Sequence, residues 1–265
     1  MVGPASIAIV TISFNQARFL RECIESVLAQ KRPGVDRYVV VDPGSTDGSR
    51  QLIEQYRGAI DHIVFEPDQG PADGLNNGFR LATGEFFGYL NADDRLSAGT
   101  LDFVRTYFAG HSEVDVLCGA IRIIDAEGRA SVRKRTADHF EVARYVAGVC
   151  TVGQQATFFR RDAFVRAGGF NVANRISWDG ELLVDMALGG ANFATVPKVL
   201  GDFRIYPESI SGSGAHLDKL HAEHRRVGEK ARARGVRLYS DGTTRLLRLL
   251  YKFNALRHMR YLLVR

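Results

Sequence analysis

IAIVTISFNQARFLRECIESVLAQKRPGVDRYVVVDPGSTDG, residues 7–48, carries the architecture in miniature. Ile7-Ala8-Ile9-Val10-Thr11-Ile12 is a short, β-branched apolar run, suited to a strand buried on both faces. The period then changes. Phe19, Leu20, Cys23, Ile24, Val27 and Leu28 follow the i, i+3, i+4 spacing of a helix with one buried stripe, which Pro33-Gly34 ends. Tyr38-Val39-Val40-Val41 reads as a second strand, and Ser45-Thr46-Asp47-Gly48 as the cap of a helix from Gln51 to Tyr56. Working outward, His62-Ile63-Val64-Phe65 reads as a third strand. Gly70-Pro71-Ala72-Asp73 opens a helix toward Leu81, and Phe86-Phe87-Gly88-Tyr89-Leu90 reads as a fourth strand. Alternating strands and helices predict an α/β fold with a mostly parallel sheet, whose ligands gather at the carboxyl ends of the strands. Beyond Gly110 the spacing predicts strands at 114–124 and 155–159 and a helix from Asp179 to Leu188. A basic helical segment follows from Ala215, with a boundary at Arg234-Gly235.

The rest of the chain sets bounds. At 265 residues it holds one large domain or one domain with an appendage, and 45% hydrophobic with 25% charged residues excludes long disorder. Cys23, Cys118 and Cys150 have neither CxxC spacing nor an even count, which disfavours a zinc knuckle or a disulfide framework. With no apolar run long enough to span a membrane and no signal-like start at Met1, a cytoplasmic location is expected. The net charge of +5 favours anionic partners: nucleotides, nucleic acid or anionic lipid. Ser13-Phe14-Asn15-Gln16 follows the first strand where a dinucleotide fold has G-x-G-x-x-G, and no P-loop motif occurs anywhere.

Acids gather where the strands end: Asp42 after the second, Asp68 beyond the third, Asp93-Asp94 after the fourth. Crowded carboxylates repel and lose hydration, so a divalent cation is the simplest compensator. Oxygen ligands without nearby cysteine favour magnesium or manganese, whose shells are completed by phosphate oxygens, and the inferred ligand is a nucleotide diphosphate. Plainer readings exist. Asp42 and Asp47 suit turns or caps, and Asp93-Asp94 could cap a helix near Ser97 to Phe108.

Four motifs stand in order and register: Val10-Thr11-Ile12-Ser13-Phe14-Asn15, Val41-Asp42-Pro43-Gly44-Ser45-Thr46-Asp47-Gly48, Glu66-Pro67-Asp68-Gln69-Gly70 and Leu90-Asn91-Ala92-Asp93-Asp94. With Gln155-Ala156-Thr157-Phe158-Phe159-Arg160-Arg161 and Gly168-Gly169-Phe170, the stretch from Ser6 to Ser213 resembles the family 2 glycosyltransferases. The resemblance implies a GT-A fold over residues 1–213, with a nucleotide-binding half at about 1–110, an acceptor-binding half at about 111–213, and a basic helical extension at 214–265. It also implies inverting transfer of a hexosyl group from a nucleotide diphosphate sugar, assisted by Mn2+ or Mg2+. In this family pattern Asp42 contacts the base, Thr11 and Phe14 help to line its pocket, Asp93 sits near the ribose and Asp94 binds the metal. Asp68, Asp73 and Asn77 fall in the donor-facing loop and helix, although helix capping is the plainer reading of Asp73 and Asn77.

Inversion needs a base opposite the leaving nucleotide. The resemblance puts Asp179 of Trp178-Asp179-Gly180-Glu181 at that position, with Glu181 as the reserve and an N-cap as the plainer reading of Asp179. Trp178 either stacks on an acceptor sugar or fills the core. Asn91 stands where relatives often carry Asp, and Tyr206 where many carry a metal-site histidine; Arg204 or His216 is the expected substitute. Residues 244–265 contain no acid but Arg245, Arg248, Lys252, Arg257, Arg260 and Arg265, with leucines near helical spacing. That pattern suits either an anionic membrane surface, and so a lipid-linked or glycan acceptor, or a helix docked on its own domain or a second subunit. A nucleic acid partner is not expected. A metal-dependent nucleotidyltransferase and a non-catalytic nucleotide- or polyanion-binding module are the rival readings.

Overall fold

The computed structural model describes residues 5–209 and 217–261. Strands β1 (Ile7–Ile12), β2 (Arg37–Val41), β3 (His62–Val64) and β4 (Phe86–Asn91) lie parallel in the order β3-β2-β1-β4. The sheet continues through β8 (Thr157–Arg160), antiparallel to both β4 and β6 (Val116–Ile124), and then β9 (Phe193–Arg204), parallel to β6. The two-residue β5 (Arg95–Leu96) closes the order on β9, and β7 (Ala130–Arg135) flanks β6. Nine helices accompany the sheet among the described residues. The expected α/β architecture of the GT-A type is present.

Period-two alternation assigns the strand side chains to two cores. Ile7 and Ile9 pack with Leu20, Cys23 and Ile24 of α1 (Ala17–Leu28) and with Leu101 and Val104 of α4 (Thr100–Gly110). Ala8 and Val10 face the other way, toward Leu75 and Phe79 of α3 (Pro71–Leu81), Phe164 of α6 (Arg161–Ala167) and Leu182 and Met186 of α7 (Trp178–Leu188). With both faces covered, continuous β-branched runs replace a polar and apolar alternation. A Cβ on Gly78 would overlap Val10, so glycine lets α3 lie against β1.

Register places the site. Ile12 pairs with Val41 on one side and Asn91 on the other, so Ser13, Asp42 and Ala92 leave the sheet at one edge.

Three expectations need correction. The helix after Asp93-Asp94 begins only at Thr100, with Gly99 left-handed at its N-cap (φ 73°), so the two acids do not cap it. The cap of α2 (Ser49–Gln55) is Gly48, while Asp47 Oδ1 accepts from Ser49 N–H at 3.0 Å and Ser49 Oγ at 2.6 Å. The twelve-residue β9 has no counterpart in the sequence reading, because Pro197 and Lys198 interrupt its apolar pattern. Its pairing with β6 absorbs the irregularity in register shifts near Ala120. The basic extension consists of α8 (Leu217–Ala233) and α9 (Asp241–Tyr261), and α5 (Val142–Val146) packs against α8 and α7.

Candidate active site

A cavity of about 520 Å³ opens at the carboxyl edge of β1 and β4. Phe14 overhangs it with 60% of its surface exposed. Asn15 sets that display by adopting φ 52°, a left-handed geometry that Asn tolerates. It is stitched to the next loop, since its N–H donates to Ser45 Oγ (2.8 Å) and its Oδ1 accepts from Thr46 N–H (2.9 Å).

Asp42 is fully buried beneath this rim. Its carboxylate accepts from Ser45 N–H (2.8 Å), Ser45 Oγ (2.6 Å), Gly44 N–H (3.2 Å) and Arg50 Nε (3.3 Å), and the adjacent Pro43 lines the cavity instead. Thr11 is likewise enclosed, its hydroxyl 3.0 Å from Tyr38 Oη. Neither side chain reaches the cavity. The neighbouring Ile12 and Ser13 do.

Asp73 and Asn77 also fall outside the cavity lining. Asp73 Oδ2 accepts from Gln69 N–H at 2.9 Å at the start of α3, as its capping reading expects, whereas Asn77, in mid-helix, accepts from Arg80 and caps nothing. The α3 side chain that reaches out is Asn76, which clamps Phe170 through both N–H (2.9 Å) and carbonyl (2.8 Å). Asp68 does line the cavity. Its Oδ1 accepts from Gly70 N–H (2.8 Å), and burial pushes its carboxyl above the ordinary range.

The acidic pair splits. Asp93 lines the cavity and its Oδ2 accepts from the Tyr206 hydroxyl at 3.1 Å. Asp94 lies under the floor, where Oδ1 accepts from Arg204 N–H (3.0 Å) and Oδ2 from Gln155 (2.8 Å) and Gln154 (3.2 Å). Asp94 is the member expected to face a metal; its oxygens hold the floor together here, and Asp93, partly buried, is the one that lines the cavity. Burial pushes both carboxyls up, and Asp93 adds to the effect on Asp94.

Asn91 and Ser13 line the same cavity, and their side-chain oxygens, Oδ1 and Oγ, are buried without a hydrogen-bond partner among the described residues. Orphaned oxygens beside a carboxylate suit a hard divalent cation that keeps part of its shell for phosphate. No group of three acidic, histidine or cysteine side chains among the described residues could cage an ion by itself.

Burial pushes the Tyr206 phenol up, to about 12, which makes it a poor replacement for a histidine ligand. It donates to Asp93 and packs against Phe19 in a tilted pair, ring centroids 4.8 Å apart. Arg204 is heavily engaged as well. Nε donates to Asp93 O (2.8 Å), NH1 to Asp125 O and Ala126 O (both 3.0 Å), and NH2 to Glu22 (2.8 Å), so four of its five N–H groups are committed within the protein. His216 lies outside the described residues.

Trp178, 7% exposed, packs in the core, as one of its two readings expects, and also walls the cavity. Asp179 lines a second, small cavity of about 40 Å³ with Tyr89, Tyr145 and Gln154. Gln154 thus borders Asp179 and donates to Asp94. Burial pushes the Asp179 carboxyl up; the N–H groups of Gly180 and Asp179 oppose this, and the charge of Glu223 reinforces it. Ser177, not Asp179, is the N-cap of α7. The amides leading into the helix are held by Asn174 Oδ1 and, from α8, by Glu223, which accepts from Arg175 (2.7 Å), Ile176 (3.2 Å) and Ser177 (3.0 Å).

Glu181 points away from both cavities. It pairs with Arg226 (2.5 Å) and Lys230 (2.8 Å) of α8 and accepts from Asn171 (3.0 Å) and Asn174 (2.8 Å). Burial works against its charge, but those four donors hold its carboxyl down at about 2. It is structural, and the reserve assignment as base is corrected.

Comparison with known proteins agrees with this geometry. The profile of Glycosyl transferase family 2 matches residues 8–168. The chain is 26% identical over 244 residues to an uncharacterized glycosyltransferase of Mycobacterium tuberculosis, covering 86% of this chain and 85% of that one. It is 29% identical over 180 residues to a PGL/p-HBAD biosynthesis glycosyltransferase of Mycobacterium bovis, covering 65% and 66%. Among solved structures, S. aureus TarS 1-349 in complex with UDP-GlcNAc superposes with a TM-score of 0.66 at 22% identity, over 84% of this chain and 65% of that one. Mannosyltransferase PcManGT from Pyrobaculum calidifontis, in complex with GDP-Man and Mn2+, gives 0.62 at 18%, over 85% and 65%. The chain thus spans 65% of the length of each of these two structures, whose likeness is one of fold. With the profile covering more than half of its length, the chain belongs to glycosyl transferase family 2.

Proposed function

We propose that the chain transfers a hexosyl group, with inversion, from a nucleotide diphosphate sugar to a hydroxyl of a glycan or lipid-linked acceptor, and that Asp179 is the base. The observation that carries this reading is the separation of acids: Asp93 lines the large cavity with Ser13 and Asn91, whose side-chain oxygens are orphaned, and Asp179 lines a separate small one. The donors in the neighbouring structures, UDP-GlcNAc in TarS and GDP-Man in PcManGT, support a nucleotide sugar as ligand.

Phe14 offers a ring face to the base, and the turn built by Asp42 and Arg50 presents Pro43 beside it. Asp93, Asn91 Oδ1 and Ser13 Oγ would hold Mn2+ or Mg2+, which when bound neutralises charge developing on the departing diphosphate. Tyr206 fixes the Asp93 carboxylate by donating to it. Asp179 accepts the proton of the acceptor hydroxyl as that oxygen bonds to the anomeric carbon. The bond from carbon to the diphosphate oxygen breaks on the opposite face, and the proton leaves on Asp179. A carboxyl raised by burial is better matched to this task than an ordinary aspartate. Residues 1–110 form the donor half and 111–213 the acceptor half in this reading, with 214–265 as the extension, and the reaction takes place on the cytoplasmic side of the membrane.

The test is release of nucleoside diphosphate from a panel of nucleotide sugars, with manganese and with chelator. Asp179→Asn is expected to keep donor binding and lose transfer. Normal transfer by that variant overturns the assignment of the base. Donor binding without turnover in the wild type would favour the non-catalytic module.

A further inference from the structure

α9 docks along one edge. Arg248 Nε donates to Ala147 O at 2.7 Å, and the Tyr251 hydroxyl reaches Asp138 Oδ2 at 2.5 Å and Thr151 Oγ1 at 2.7 Å. Thr244, Leu247 and Tyr251, one helical stripe, are its partly covered positions. A second stripe is bare. Leu246, Leu249, Leu250 and Phe253 follow the i, i+3, i+4, i+7 spacing and are 56%, 54%, 51% and 62% exposed. Scattered exposed leucines need no explanation, but four large apolar side chains on adjoining turns of one face form a patch that calls for an occupant.

Charge chooses among the occupants. Residues 242–265 contain six Arg and Lys and no Asp or Glu, and Arg245 and Lys252 are exposed beside the stripe. A second copy would bring like charge against like, whereas acyl chains beneath anionic headgroups complement both features. We propose that this face of α9 lies in the headgroup layer of an anionic membrane. No helix among the described residues is long and apolar enough to cross one, so the contact lies in the plane of the surface. Its docked edge grips the segment around Asp138, Ala147 and Thr151, next to Tyr145, Val152 and Gln154, which wall the Asp179 chamber. The surface contact would therefore hold that chamber near lipid-linked acceptors. This last step rests on the proposed function; membrane binding itself does not.

The experiment is co-sedimentation of the full chain with phosphatidylcholine vesicles and with vesicles containing phosphatidylglycerol, at low and high salt. Binding is expected to anionic vesicles only, and to weaken with salt. Each surface cation contributes about fivefold, so Arg245→Ser with Lys252→Ser should weaken binding about 25-fold. Leu249→Ser with Phe253→Ser should reduce it to the level of neutral vesicles. These positions are exposed, so thermal midpoints should stay put and report intact folding. The proposal is overturned if the wild type ignores anionic vesicles, or if the apolar variant binds them undiminished. It is equally overturned if sedimentation velocity reveals a dimer that the apolar variant dissociates, which would assign the face to a second copy. Vesicle binding with no transferase activity would refute the proposed function and leave this inference standing.

Discussion

Replacing Glu181 by glutamine removes a charge from a carboxylate that Arg226, Lys230, Asn171 and Asn174 surround, with the side chain 0% exposed. The shape survives; the ion pairs do not. The folded carboxyl titrates at about 2 against an ordinary 4.5. That depression of about 2.5 units corresponds to roughly 3 kcal/mol of stability near neutral pH. Because the folded value lies below the unfolded one, this stability is complete above the unfolded value and drains away as pH falls toward 2. About 0.8 kcal/mol is lost by pH 4 and about 2 kcal/mol by pH 3. Chemical denaturation of wild type and Glu181→Gln from neutral pH down to the acid limit measures the gap directly. The expected gap is about 3 kcal/mol near pH 7, shrinking to about 1 kcal/mol at pH 3. A gap that stays constant with pH, or one below about 1 kcal/mol at neutral pH, refutes the reasoning. The same variant tests the division of labour in α7. While folded it should still turn over, and loss of transfer in a protein with a normal circular-dichroism spectrum would return the base assignment to Glu181.

Asp93→Asn should abolish manganese-dependent stabilisation by nucleoside diphosphate in a thermal-shift assay, a loss beyond the roughly 10–100-fold typical of outer partners, while Asp94→Asn keeps it; the reverse pattern would put the ion on Asp94. Phe14→Ala should weaken donor binding about 5- to 150-fold by calorimetry, the worth of one base on an aromatic ring, and an unchanged Kd would remove Phe14 from the base site. Burial is the main cause of the raised Asp179 carboxyl and the charge of Glu223 adds to it, so Glu223→Gln should move the acid limb of the kcat/KM profile a little to lower pH; a profile that stays fixed breaks the link between α8 and the base.

Most of the parallel half was readable because its signals are local. Ile7–Ile12, Val39–Val41 and Phe86–Leu90 are apolar runs bounded by turn residues, and the acids follow them by position in the chain. What could not be read was direction. Thr11 and Asp42 are the right residues at the right strand ends, yet one alternates inward and the other is consumed by its own turn. Between Asp93 and Asp94 the outcome turns on which carboxylate meets Arg204 and Gln155, partners 110 and 61 residues away in the chain. Ser13 and Asn91 carried a weak signal, a polar residue one step from a strand end, which a register argument could have used. Glu223 carried none, since a glutamate in a basic helix looks like a solvated one.

Glu223, Arg226 and Lys230 all lie beyond the stretch that matches the family profile, yet they grip the start of α7 and its buried acid. A chimera joined at residue 213 with a foreign tail would therefore inherit the donor half intact and lose the brace behind Trp178 and Asp179. Swapping tails to redirect acceptor choice should succeed only when the seam is moved past Ala233, or when the grafted helix brings its own acid and cations to the same three places.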